Sequence, residues 1–280
     1  MSTLRIMSQN QWNTVENRDK WAEAGYDCSA EYRMPGHIQV FKELMPDVVG
    51  CQETNHDMLN IFGLLCLEKN LPYTAIWGNY TPILYRADKL ELLNAEFMPH
   101  VEKIPGYDGC FNDVQSKSCN LAVFRNKESG KVFIFATNHL WFWVDEHQPG
   151  SELARKIQLK DALELVEKYR KMYDNCPAIV VGDLNTGYNS PAVQYAINEG
   201  GYTHAYHLAT DYRFEGVGYN GCGINGAFWG TWEDKPFEEA IDHILVKGAP
   251  EGSIKNFNRH CPDYYLEISD HAPVYIDIEL

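Results

Sequence analysis

The sequence has no excess of basic residues: 24 Lys plus Arg stand against 39 Asp plus Glu, a formal net charge of -15 at pH 7. A surface of that sign repels phosphate backbones, because nucleic-acid affinity rests on a basic footprint, so a nucleic-acid partner is disfavoured. A divalent cation reverses the local sign at its own site, so a phosphate-bearing ligand is not excluded. There is no run of about 18 apolar residues that could span a bilayer. Residues 1–7 lack the apolar core and small-residue cleavage site of a secretory signal, and the chain is read as cytoplasmic. None of the 8 cysteines forms a C-x-x-C pair; Cys51, Cys66 and Cys119 lie in apolar runs and read as buried thiols, not as zinc ligands or disulfides. H-E-x-x-H, G-x-S-x-G and G-x-x-x-x-G-K-[ST] are missing too, which removes a zincin site, a nucleophile elbow and a phosphate loop. No Pro/Ser-rich or low-complexity segment divides the chain, so one domain over residues 1–280 is expected.

What is present is a core-forming composition, 45% hydrophobic and 13% aromatic, too apolar for a disordered chain. Strands are expected at Leu4–Ser8, Asp47–Cys51, Ile83–Arg86, Leu121–Phe124, Val132–Thr137, Ala178–Val181, Ala240–Val246 and Val274–Ile278. Helical spacing runs over His37–Met45 with Pro46 as its stop, over Asp57–Asn70, and over Ser151–Tyr173, where Ser151 is the expected N-cap. Arg155 and Lys156, in the first turns of that long helix, read as solvated. Strands and helices recurring from end to end favour an α/β class with helix-covered sheets. Pro46-Asp-Val-Val-Gly-Cys-Gln-Glu53 also rhymes with Pro177-Ala-Ile-Val-Val-Gly-Asp183, as two similar halves packed sheet on sheet would.

Each of several apolar strands ends in Asn, Asp, Glu or His: Asn10, Glu53, His139, Asp183 with Asn185, and Asp242. Ser269-Asp270-His271 adds a further site just ahead of the last strand. Singly, each has a bland reading as a turn, cap or helix-start residue. Together they offer the oxygen ligands that hard cations take, with histidines for acid–base work and phosphate binding, which points to metal-assisted hydrolysis.

In their order, Ser8-Gln-Asn10, Pro46–Glu53, Asn138-His-Leu140, Gly182-Asp-Leu-Asn185, Ile241-Asp-His243 and Ser269-Asp-His271 resemble the motifs of the endonuclease/exonuclease/phosphatase family. Pro82–Arg86 and Ser116–Phe124 are similar to stretches between them. The resemblance implies a four-layered α/β/β/α sandwich of two mixed sheets, a phosphoester substrate and Mg²⁺, with Mn²⁺ as a substitute. It implies Glu53 as chief metal ligand with Asn10 and Asp270 assisting. Asp183 would orient or deprotonate the attacking water and Asn185 bind the phosphate. His139 and His271 would contact phosphoryl oxygens, and Asp242 would pair with His271.

Departures lie in the loops. His139 is followed by Leu-Trp141-Phe142-Trp143, either a hydrophobic plug or a stacking wall for the substrate, and Tyr219–Trp232 is a second aromatic, glycine-rich loop. Trp141, Trp143 and Trp232 are therefore candidate substrate contacts. The one Lys/Arg cluster, Lys168–Lys171, falls on the long helix and is expected to lie away from the site.

Overall fold

The structure, a computed structural model, describes residues 2–15, 18–23, 25–112, 116–214, 237–260 and 262–280. In the strand Val132–His139, Phe133 and Phe135 enter one apolar cluster while Ile134 and Ala136 enter another. Successive side chains of a strand point to opposite faces, so a strand buried on both needs a layer on each side. That requirement sets the architecture.

One sheet runs in the order β10 (Asp211–Phe214), β12 (Asn256–Arg259), β13 (Val274–Glu279), β1 (Thr3–Asn10), β2 (Val48–Gln52), β4 (Ile83–Arg86), β3 (Tyr73–Ile76). The other runs β5 (Leu90–Pro99), β6 (Ser118–Asn126), β7 (Val132–His139), β8 (Ala178–Asp183), β11 (Asp242–Lys247), β9 (Thr203–His204). Between them Leu4, Ile6, Val48 and Ile83 of the first sheet meet Phe124, Phe133, Phe135 and Val181 of the second. Besides the short α1 (Arg18–Glu23), α2 (Ala30–Leu44) and α3 (His56–Glu68) cover the first sheet, packing Met34, Ile38, Phe41 and Phe62 on Met7, Val49 and Leu84. On the second sheet, α4 (Ser151–Met172) and α5 (Pro191–Asn198) place Leu159, Leu163, Val166 and Val193 on Leu121, Ile134 and Val180. These are the four layers expected. No helix among the described residues is long and apolar enough to cross a membrane.

The pairing pattern recurs in both sheets. β1 and β2 run parallel, as do β7 and β8, and each such pair is flanked by antiparallel neighbours. The sheets approach closely near the ends of the parallel pairs. A Cβ on Gly50 would lie 2.5 Å from Val181 and 2.6 Å from Thr137 of the opposite sheet. At Gly182 the backbone takes φ +149, and a Cβ there would fall 2.0 Å from the Asn138 carbonyl oxygen, so only glycine fits.

Several expected boundaries move. The helix expected from His37 begins at Ala30 and passes through Pro35, because Ser29 caps it by accepting the Tyr32 N–H at 3.3 Å. Pro35-Gly36 hides that start from a reading based on breakers. Ser151 is not the N-cap of α4; Gly150, at φ 95, holds that place, and the Ser151 hydroxyl donates to the Gln148 carbonyl at 2.6 Å. Strands β3 and β5 were not foreseen; β5 lies at a sheet edge with much of its length open to solvent, so its apolar signal is weak. The buried thiols are as expected, Cys51, Cys66 and Cys119 each being pushed up to about 12 by burial.

Candidate active site

Parallel strands deliver their carboxyl ends to one rim, the usual place for a site in such sheets. Asn10 of β1 lies opposite Gln52 of β2, and Glu53 follows at once in a left-handed conformation, φ 57. In the facing sheet His139 of β7 lies opposite Asp183 of β8, and Asp242, the first residue of β11, pairs with Asp183 from the other side. The segment ahead of β13 carries Asp270 and His271. The first sheet thus provides Asn10, Glu53 and Asp270, the second His139, Asp183 and Asp242, and His271 reaches between them.

The side chains converge. Ligand atoms of Glu53, His139 and Asp183 all lie within 4.8 Å of one another. Asn10 donates through Nδ2 to Glu53 Oε1 at 3.2 Å and to Asp183 Oδ2 at 2.9 Å, while its Oδ1 accepts the Trp12 N–H at 2.9 Å. Asn10, the expected assisting metal ligand, thus bridges the two carboxylates through Nδ2 while its Oδ1 faces the backbone N–H of Trp12. Asn13 holds Glu53 Oε2 from the other side, through Nδ2 at 2.9 Å and its backbone N–H at 3.2 Å. His271 Nδ1 lies 2.7 Å from Asp242 Oδ2, the pairing expected, and His271 Nε2 is 3.8 Å from Asp183 Oδ2. Asn185, at φ 51, gives its backbone N–H to Asp183 Oδ1 at 2.9 Å and its Nδ2 to the Leu140 carbonyl at 3.0 Å.

Crowding buried carboxylates raises the free energy of the charged forms. Burial lifts Asp183 up to about 6, with His271 opposing and Asp242 adding repulsion. Desolvation likewise carries Asp270 up to about 7 against the pull of His271, with Glu53 and Asp183 pushing it further. Burial alone would lower His271, yet Asp242, Asp183 and Asp270 together hold it well above the ordinary histidine value. His139 goes the other way, driven well below by burial and then by the cations Lys117 and His271. The site therefore holds a charged His271 and a neutral His139.

Lys117 was not singled out from the sequence. It is buried just ahead of β6, and its Nζ lies 2.7 Å from His139 Nε2 and 5.2 Å from the centre of the Phe142 ring. The visible signal was a lone cation before a strongly apolar strand, within a stretch already matched to the family. Asn13 and Arg33 were missed as well. Arg33 is fully buried, and its guanidinium donates to the backbone carbonyls of Gln11, Trp12, Cys28 and Ile268, tying the loop after β1 to the loop before Asp270. Ser269 adds a strut, its hydroxyl donating to the Asn10 carbonyl at 2.9 Å.

The aromatic candidates separate. Trp141 is buried with Ile104, Phe111 and Ala154, so it is the plug of the two readings and not a substrate wall. Trp143 is exposed, its ring tilted against Phe142 at 4.8 Å, and Phe142 is the ring that covers Lys117. Trp232 and the 219–232 loop lie outside the described residues. Arg155 is not solvated: it is buried, donating to the Trp143 carbonyl at 2.5 Å, because the aromatic loop folds back over the start of α4.

Residues 38–271 match the Endonuclease/Exonuclease/phosphatase family. The chain belongs to that family. Members of the endonuclease/exonuclease/phosphatase family are phosphoesterase hydrolases, and this chain carries their fold throughout. An endonuclease/exonuclease/phosphatase from Bacteroides vulgatus superposes with a TM-score of 0.74 at 23% identity, covering 100% of both chains. The mannosyl-6-phosphatase of Bacteroides thetaiotaomicron gives 0.73 at 21% identity, over 99% of this chain and 100% of its own. D. rerio TDP2, seen with a single-strand DNA product, gives 0.65 at 17% identity over 100% of both chains. Among curated proteins none matches the sequence.

Proposed function

We propose that this family member is a Mg²⁺-dependent hydrolase of a small-molecule or lipid-headgroup phosphoester, working by in-line attack of water and accepting Mn²⁺ as a substitute. The observation that carries this reading is the meeting of Glu53, His139 and Asp183 within 4.8 Å. A hard divalent cation fits these residues. The donors are mainly carboxylate oxygens, and Asp183 and Asp270, raised to about 6 and about 7, lack sufficient counter-charge. Glu53 would hold it with Asn10 and Asp270 assisting and Asp183 and His139 beside it, while Asn13 fixes the Glu53 carboxylate. When bound, such an ion neutralises charge on the phosphoryl oxygens.

The chain's own groups do the rest. Asp183, its Oδ1 held by the Asn185 backbone N–H at 2.9 Å and its Oδ2 by Asn10, would align the water and accept its proton. His271, kept protonated by Asp242, presents Nε2–H to an oxygen that gains charge in the transition state. Lys117 brings a second positive charge, held by neutral His139 at 2.7 Å. Asn185 closes the phosphate side beside Asp183. Exposed Phe142 and Trp143 border the Lys117 end.

The net charge of -15 favours a small substrate over a nucleic acid, and one similar structure is a mannosyl-6-phosphatase. Turnover of p-nitrophenyl phosphate, bis-p-nitrophenyl phosphate, inositol phosphates, sphingomyelin and plasmid DNA tests the choice. Preference for a small ester supports the reading; preference for DNA would replace it with a nuclease.

A further inference from the structure

A separate cavity of about 220 Å³ is lined by Val15, Asn55, His56, Asp57, Trp77 and Tyr80 among others, on the chain segments that follow Asn13 and Glu53. Its residues are tied to the catalytic rim from both sheets. Asn55 and His56 follow Glu53 in the chain, and the Thr54 N–H donates to the Tyr80 carbonyl at 3.2 Å. Asn55 Nδ2 donates to Thr14 Oγ1 at 2.7 Å, and the Val15 N–H donates to the Asn13 side chain that holds Glu53. From the facing sheet, Asn120 of β6 donates to the Trp77 carbonyl at 3.2 Å and the Thr81 carbonyl at 3.0 Å, a short way along the chain from Lys117. The Trp77 turn is therefore a fixed part of the site's frame.

Trp77 is 43% exposed, and His56 stacks on it at 4.0 Å with the planes 28° apart. An exposed indole backed by a second ring is a rigid apolar platform, and the Asp57 carboxylate beside it accepts hydroxyl donors. We propose that this cavity is the leaving-group subsite of the hydrolase and binds a single sugar ring, the C–H face on Trp77 and the hydroxyls toward Asp57. This assignment rests on the hydrolase reading above. The volume, about 220 Å³, lies below the roughly 300–1,000 Å³ of ordinary ligand pockets, which favours a small occupant such as a single ring. In the reaction the water oxygen bonds to phosphorus and the P–O bond to the sugar breaks. The sugar oxygen takes a proton from solvent and leaves as an alcohol, the proton held by Asp183 returns to solvent, and hydrogen phosphate remains.

The test compares glucose 6-phosphate, mannose 6-phosphate, adenosine 5′-monophosphate and the acyclic β-glycerophosphate as substrates of the parent, Trp77→Ala and Trp77→Phe proteins with Mg²⁺. The parent prefers a hexose phosphate to β-glycerophosphate. Trp77→Ala lowers kcat/KM for the hexose phosphate roughly tenfold more than for β-glycerophosphate, mainly through KM, while Trp77→Phe recovers most of the difference. Equal losses on both substrates, no loss on the hexose phosphate, or preference for the nucleotide overturns the subsite. Should the parent hydrolyse none of these esters, the hydrolase reading fails on its own. Calorimetric binding of mannose 6-phosphate and glucose 6-phosphate then decides the subsite: binding to the parent that Trp77→Ala abolishes sustains it, and no binding ends it.

Discussion

Replacing Arg33 by Met removes a cation that touches no substrate, yet the structure makes it one of the costliest changes near the site. Burial depresses the guanidinium from 12.5 to about 10, so keeping the charge inside costs about 3 kcal/mol. Against that stand bonds to the carbonyls of Gln11, Trp12, Cys28 and Ile268. Charge-assisted hydrogen bonds contribute about 1.5–3 kcal/mol each, and every buried carbonyl left without a donor adds its own desolvation penalty. The bonds outweigh the burial cost, because removing the cation leaves buried carbonyls without donors, just as it would leave the carboxylate of a buried ion pair uncompensated. The net loss expected for Arg33→Met is about 3–5 kcal/mol, a fall in Tm on the order of 10 °C for a chain of this size. Activity should fall in the fraction that stays folded, since Arg33 joins the loop bearing Asn13 to the loop ahead of Asp270. Urea unfolding of parent and variant measures the stability term, and kcat well below the variant's Tm measures the positional one. A Tm within about 1 °C of the parent would refute the argument that the carbonyls depend on Arg33.

Two further outcomes follow from the electrostatics. Lys117→Met should lower kcat/KM by about 10²-fold, the order seen for loss of one charge-stabilising donor, and should let the His139 pKa rise, since Lys117 follows burial among the causes that depress it; an NMR titration of His139 and steady-state kinetics check both, and an unchanged kcat/KM would exclude Lys117 from the chemistry. His100 is buried beside this group with neither ring nitrogen hydrogen-bonded among the described residues, and burial, then Lys117, carries it down to about 3. The unfolded chain binds that proton more readily, so the stability His100 contributes is full above about 6.5 and is lost as pH falls toward 3, at about 1.4 kcal/mol per pH unit. Urea unfolding at pH 7.5 and pH 5.0 should show His100→Leu losing about 2 kcal/mol less than the parent over that interval; equal slopes would contradict the assignment.

The sheet interior was legible because both central sheets rest on short apolar runs, Val48–Cys51 and Ala178–Val181 among them, bounded by polar strand ends. The candidate site was legible for the same reason: Asn10, Glu53, His139, Asp183 and Asp242 each break an apolar pattern where a strand meets the rim. Residues that act from loops or from behind the rim carry no such break. Arg33 lies within a helix interrupted in sequence by Pro35-Gly36, and Asn13 lies beyond the end of β1. Lys117 precedes its strand as an ordinary solvated lysine would. Trp141 and Trp143, two positions apart in one loop, take opposite fates because α4 offers Gln158 to the Trp141 backbone N–H at 2.9 Å and Arg155 to the Trp143 carbonyl, and only the first ring is drawn into the core. Such choices depend on partners far along the chain, which local pattern does not contain.

The most direct test of the central claim is hydrolysis of p-nitrophenyl phosphate and bis-p-nitrophenyl phosphate with Mg²⁺ and with EDTA, parent beside Asp183→Ala. The account predicts turnover that requires the ion and falls at least about 10³-fold in Asp183→Ala, whose fold, judged by circular dichroism, stays intact. Turnover that survives EDTA, or that Asp183→Ala leaves unchanged, would contradict it.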